Sequence, residues 1–388
     1  MNCPKCGHQN HDHARACFYC RTSLLEPEPL GEPVDIRTSR LAVASAILAV
    51  LSIPGFIMFS GSAVQRFDSY EVHIPAFVCC LSGVAAVFLG LIALACIEIN
   101  YGRLTGRAYA AIGIAIPLFG VFLINVYASL ARTRSVAYRL TCTTNLSGIG
   151  KAMLIYANDY DDELPRAGGR NSALGTTPNW QGDTRRAAFG FDSKGNGGQA
   201  SMSANFYLLV KYAEVTPKSF RCDKDRAFKE FKLRDYKIAN KDIIDLWDFG
   251  PDPAKHVSFS YHIPYGNYAL TSSNLPGMAV AADRNPWLPS PAGYRSKTDF
   301  QAFDPNGTRK IIKRANALHH KGDGQNVLFV DCHVSFEREP FCGVKDDNIY
   351  TPQTTTDIRK GTLPTLTSQP ASRTDSLLLH DPPKGAGK

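Results

Sequence analysis

Three long apolar runs, Leu41–Phe59, Ala76–Ile97 and Ala108–Ala131, divide this chain into a cysteine-rich head, a membrane-like block and a longer polar remainder. Each is about as long as the roughly 20 helical residues that cross a bilayer's hydrocarbon core. None contains Asp, Glu, Lys, Arg or His; Glu98 lies just past the second run and Arg107 just before the third. A helix bonds its backbone polar groups to one another, so runs of this length and purity read as spans. They predict a transmembrane block over residues 39–131 (spans about 41–59, 76–97 and 108–131), with a lipid bilayer as the first partner.

Lysine and arginine near the helix ends set the orientation. The head carries Lys5, Arg15, Arg21, Arg37 and Arg40, and the second loop carries Arg103 and Arg107, whereas the first loop has Arg66 beside Asp68 and Glu71. An odd number of spans then puts the head in the cytoplasm and everything after Ala131 outside. Arg132, Arg134 and Arg139 oppose this, but they precede a long segment, and long segments translocate largely regardless of charge. The expected localisation is the inner membrane, multi-pass, with an extracytoplasmic C-terminal domain. The formal charge of +8 is scattered, with no basic cluster interleaved with aromatics, so nucleic acid is not an expected partner. From residue 352 to 388 the chain is rich in Thr, Ser, Pro, Gly and Lys, and a disordered tail is expected there.

Cys3-Pro-Lys-Cys6 and Cys17-Phe-Tyr-Cys20 are two CxxC knuckles within residues 1–24. Two thiolates from each tight turn can close a tetrahedral Zn²⁺ site, and a segment this small needs the ion in order to fold. Cys3, Cys6, Cys17 and Cys20 are thus the expected ligands of a structural zinc; His8, His11 and His13 are alternative ligands. The head resembles the short zinc ribbons at the amino termini of many bacterial membrane proteins. Residues 25–38 read as a Pro/Glu linker. In the second span Gly83, Ala85, Ala86, Gly90, Ala93 and Ala95, and in the third Gly113 and Gly120, predict small faces for close helix packing. Residues 40–125, with the loop Gly102-Arg103-Leu104-Thr105-Gly106-Arg107, resemble a widespread small bacterial membrane module marked by "GRLTGR".

Beyond the third span, Val136, Leu140, Leu146, Ile149, Met153, Tyr156 and Tyr160 recur at three- and four-residue steps, predicting an amphipathic helix that continues outward and ends before Pro165. Cys142-x-x-Asn145-Leu146-x-x-Ile149-Gly150 with Tyr156-Ala157-Asn158-Asp159-Tyr160 resembles the helix of planctomycete-type pseudopilin-like proteins, related to type II secretion pseudopilins. Phe220-Arg221-Cys222, Asp283-Arg284-Asn285-Pro286, the stretch from His320 through Gln325-Asn326 to Asp331-Cys332-His333, and Asp347 to Thr351 are similar to further elements of that family. The resemblance covers residues 132–351 and implies an α+β domain, a long N-terminal helix plus an antiparallel sheet. Cys332 stands where the family has glycine. Where family members carry a processed amino terminus and a single helix, this chain has two further spans and the head. The expected class is therefore a multidomain chain: zinc ribbon, three-helix transmembrane block and pseudopilin-like exported domain.

Cys142, Cys222, Cys332 and Cys342 allow three complete disulfide pairings. The resemblance implies Cys142–Cys222, and Pro340 suggests a turn that would let Cys332 meet Cys342. The role expected is non-enzymatic, structural or in envelope or secretion assembly, with envelope or secretion proteins as partners. A membrane sensor or receptor signalling to the head is the alternative. A metal-dependent hydrolase using His320, Asp331 and His333 is a weaker one, with His319 nearby and Asp331 and His333 on one strand face. Asp159, Asp161, Asp162 and Glu163 offer oxygen ligands for Ca²⁺.

Overall fold

A computed structural model of the chain describes residues 1–12, 14–24, 36–62, 73–100, 103–236, 238 and 240–385. Most of the linker, His13 and the first-loop residues Arg66, Asp68 and Glu71 lie outside the described residues. The chain divides into two compact units, Met1–Arg132 and Thr133–Lys388.

In the first unit, strand β1 (Arg37–Thr38) leads into helix α1 (Arg40–Ser62), followed by α2 (His73–Ile99), β2 (Leu104–Thr105) and α3 (Arg107–Asp159). Three helical windows, Arg40–Ile57, Leu81–Ile99 and Arg107–Tyr127, are long and apolar enough to cross a membrane. Leu51, Leu81, Phe88, Leu91, Phe119 and Phe122 of these helices face outward, and small residues face inward. Ala42, Ser45, Ala49 and Ser52 of α1 are buried, as are Gly83, Ala86, Gly90 and Ala93 of α2. Both sets repeat at three- and four-residue steps, the seam of closely packed helices. Ala85 and Ala95, expected on that seam, are exposed because they fall outside the repeat. Ser45 donates to the Ala86 carbonyl at 2.8 Å. A Cβ on Gly113 would lie 1.7 Å from the Ser45 Oγ, so α1 and α3 meet where neither can be larger. β1 pairs in parallel with β2, the centre of the GRLTGR loop, and Gly106 takes φ +116° to turn from that strand into α3.

Helix α3 runs unbroken for 53 residues, past the expected span end at Ala131. Its buried stripe in the second unit is Cys142, Leu146, Ile149, Met153 and Tyr156, whereas Val136 and Leu140, expected on it, are exposed. The helix stops at Asp159, before Pro165, where Asp161 and Asp162 turn left-handed at φ 52° and 62°. A parallel pair follows, β3 (Ala173–Leu174) with β4 (Gln199–Ala200), with the short helix α4 (Arg185–Phe189) between them. Helix α5 (Met202–Tyr212) is buried along Met202–Val210, and Ser201 caps it through the Ala204 N–H.

Strands β5 (Phe259–His262), β6 (Ala279–Asp283), β7 (Gln325–Phe329), β8 (Val334–Glu337) and β9 (Leu378–Leu379) form a five-stranded antiparallel sheet ordered β8-β7-β6-β5-β9. The sheet has an apolar cluster on each face. Along β7, Leu328 joins one cluster with α3 and α5, while Val327 and Phe329 join the other with Trp287, Phe303 and Tyr350. In β6 the alternation breaks: Val280 and Ala281 both enter the first cluster, at the register shift between Ala279 and Ala281. An extra residue there turns a side chain to the opposite face, as a bulge does.

The tail expected to be disordered is instead ordered through Gly385 and completes the sheet. Leu377, Leu378 and Leu379 are fully buried, and β9 pairs with β5. Asp347 accepts from Ser376 N at 2.7 Å, and Asp375 accepts from Gln353 N at 3.0 Å. Asp381 caps the start of α5 through Met202 N at 2.7 Å and Ser203 N at 2.8 Å. Three consecutive leucines with flanking carboxylates supply the anchoring that the tail's average composition conceals.

Candidate metal centre

Tight turns set the geometry of the head. Gly7 N donates to Cys3 O and Arg21 N donates to Cys17 O, both at 2.8 Å, so each CxxC closes with its sulfurs on one side. Gly7 (φ 69°) and Arg21 (φ 57°) take the same left-handed turn after their knuckles. Cys3 and Cys20 sulfurs stand 3.5 Å apart and those of Cys6 and Cys17 3.6 Å. All four ligand atoms lie within 4.8 Å of one another, a set compatible with a metal site. A tetrahedral thiolate site with bonds of about 2.3 Å would hold its sulfurs about 3.8 Å apart. The Thr22 hydroxyl and backbone bond to Cys20 and lower its thiol to about 6, toward the thiolate that a metal needs. His8 stacks on Tyr19 and His11 is exposed, so neither joins the quartet. Asn10 was not singled out by the sequence. It accepts from Phe18 N at 2.9 Å and donates to His8 O at 2.8 Å, tying one knuckle to the other.

A second cluster lies inside the second unit, where four motif segments meet. Cys142 on α3, Cys222, Asp283 and Arg284 at the end of β6, and His319 and His320 before β7 are all buried. The Cys142 and Cys222 sulfurs are 2.9 Å apart, and Cys222 Sγ is 3.5 Å from His320 Nε2. His320 Nε2 in turn lies 3.2 Å from Asp283 Oδ2. Asn326 N donates to that same oxygen at 2.7 Å, and Thr143 donates to the Asn326 side chain at 3.0 Å. Arg284 pairs with Asp225 at 3.2 Å and donates to Ala254 O, while Asn285 donates to Tyr350 O and Leu378 O. Burial alone would raise Asp283, but His320 and His319 outweigh it and hold the carboxyl well below the usual range. Burial likewise opposes the charge on His320, yet Asp283 lifts it to about 9. The hydrogen bond shared with Cys222 lowers Cys142 to about 7 and Cys222 itself is pushed up, so the pair releases one proton readily and resists losing the second.

The hydrolase set His320, Asp331 and His333 is not brought together. Asp331 is exposed in the β7–β8 turn and bonds His333, which stacks on Phe329, whereas His320 is buried against Asp283. The turn follows β7, so Asp331 and His333 do not share a strand face. The carboxylates offered for Ca²⁺ have separate partners: Glu163 pairs with Arg166 and Arg170, Asp162 accepts from Ser272 and Asp159 accepts from Asn158. Cys332 and Cys342 are free thiols, both half-buried, and burial pushes the Cys342 thiol well up. Comparison with protein-family models, with characterised proteins and with solved structures finds no match to this chain.

Proposed function

We propose that this chain is a non-enzymatic inner-membrane protein that carries a pseudopilin-like domain on the extracytoplasmic side and a zinc ribbon in the cytoplasm. Its role is structural, in assembly of the envelope or of secretion machinery. The observation that carries this reading is helix α3, which continues from a span-length apolar segment into the core of the folded domain without a break. The pairing of β1 with β2 supports crossings by both α1 and α2, since it joins the approach to α1 with the loop before α3, two segments that share a side when the two helices between them cross. The cysteine quartet favours zinc through its all-sulfur donors and tetrahedral spacing.

The test is a reporter active only outside the cytoplasm. Fused after Tyr160 it is expected to be active, and fused after Gly106 silent; the opposite pattern overturns the topology. Cross-linking in native membranes then reads the role, with envelope or secretion components expected to attach to the domain.

A further inference from the structure

We infer that Cys142, Cys222, His320 and Asp283 form a second metal centre, built for a borderline-soft divalent ion of the Zn²⁺ type. The inference goes beyond the proposed role, and with the domain outside the cytoplasm it requires that the metal keep both thiols from oxidising. Four separate chain segments bring these donors together. Their ligand atoms fall into two overlapping sets, Cys142–Cys222–His320 and Cys222–Asp283–His319, each with its atoms within 4.8 Å of one another. Thiolate, imidazole and carboxylate together are the donors that zinc takes, at bond lengths of about 2.0–2.3 Å.

A second observation points to a ligand. Asp283 Oδ1 and His319 Nδ1 face each other 3.9 Å apart, and neither has a hydrogen-bond partner. Asp283 is fully enclosed and His319 is 7% exposed, so solvent does not satisfy them. Buried polar atoms are nearly always hydrogen-bonded, and two that are held only by this long ion pair, beside two thiols and an imidazole, mark a place for a cation. A disulfide between Cys142 and Cys222 satisfies the sulfurs alone and leaves both atoms as they are. Metal binding instead deprotonates both thiols, with Asp283 Oδ1 as the fourth ligand and His319 behind it. The sulfurs must then separate by roughly 0.9 Å, to the spacing of about 3.8 Å set by tetrahedral zinc–thiolate bonds. Thr143 and Asn326 hold the far side of Asp283, the outer support that orients a ligating carboxylate. Enclosed on all sides, the ion would fasten α3 to the sheet and act structurally.

The test uses the full-length chain in detergent, purified without chelator, with Cys3, Cys6, Cys17 and Cys20 all replaced by Ser so that the domain itself is untouched. Elemental analysis is expected to find one zinc per chain, against two in the unsubstituted protein. Cobalt exchanged into the same protein is expected to give the thiolate charge-transfer absorption of two sulfurs. Adding His320→Ala, or Cys142→Ser with Cys222→Ser, is expected to remove the remaining ion. A head-substituted chain with no bound metal overturns the inference, as does one whose peptide map shows a Cys142–Cys222 disulfide. A cobalt spectrum without sulfur charge transfer overturns it too, whether or not the added variants fold.

Discussion

Cys332 sits at the β7–β8 turn with φ 64°, a left-handed conformation that costs a residue with a Cβ about 1–2 kcal/mol. Glycine takes this conformation without that cost. Cys332→Gly is therefore predicted to stabilise the domain by about 0.5–1 kcal/mol after glycine's extra unfolded-state entropy is counted, read as a shift in urea midpoint. His262 shows the opposite kind of constraint. Burial lowers its imidazole to about 4, with the Asp375 and Ile263 carbonyls beside it. A histidine depressed in the folded state contributes stability that is present above its ordinary value near 6.5 and is lost as pH falls through about 4. His262→Gln is predicted to remove up to about 3 kcal/mol of the acid sensitivity between pH 6.5 and 4, measured by urea unfolding at both ends. At this scale the sequence exposed the cysteine quartet, because both knuckles lie within about twenty residues. It brought Cys142 to Cys222 only through the resemblance and named His320 for another set, because these residues and Asp283 are adjacent only after α3 has packed on the sheet. Asn10 carried no signal at all, since nothing about a lone asparagine in a loop announces that it bridges two turns.

Among the elements, the three apolar helices were plain from length and purity. Their inward faces were partly so: Gly83, Ala86, Gly90 and Ala93 follow the packing repeat, while Ala85 and Ala95 are small residues with no neighbour to accommodate. The contact of Gly113 with Ser45 makes a direct test. Gly113→Ala is predicted to push α3 from α1 and lower the thermal midpoint in detergent, and Ser45→Gly is predicted to recover most of the loss by removing the clashing side chain. Equal effects of Gly113→Ala with and without Ser45→Gly would show that the two helices do not meet there. The stripe on the outer half of α3 was read two turns too early, because Val136 and Leu140 keep the three-four spacing but precede the first residue that the domain covers. β6 defeats pattern reading for another reason, since its bulge breaks the alternation and its small alanines are buried on both faces.

For the molecule as a whole, the least expected contributor is the segment after Thr351. Burying Leu377, Leu378 and Leu379 is worth about 5–9 kcal/mol at roughly 1.5–3 kcal/mol each, comparable with the 5–15 kcal/mol that holds a typical domain together. A chain ending at Lys360 is therefore predicted to lose the cooperative unfolding transition of the second unit, and Asp381→Ala alone to cost about 1 kcal/mol through its capping bonds to α5. A truncated chain that melts like the full one would show that β9 is dispensable. The same capping contact spans 179 residues, from Asp381 to Met202, and it sets a schedule for biogenesis. As the chain leaves the ribosome from its amino end, α5 emerges long before the segment that covers it, and during that interval its apolar sides lie open. Closure of the second unit is thus a late event.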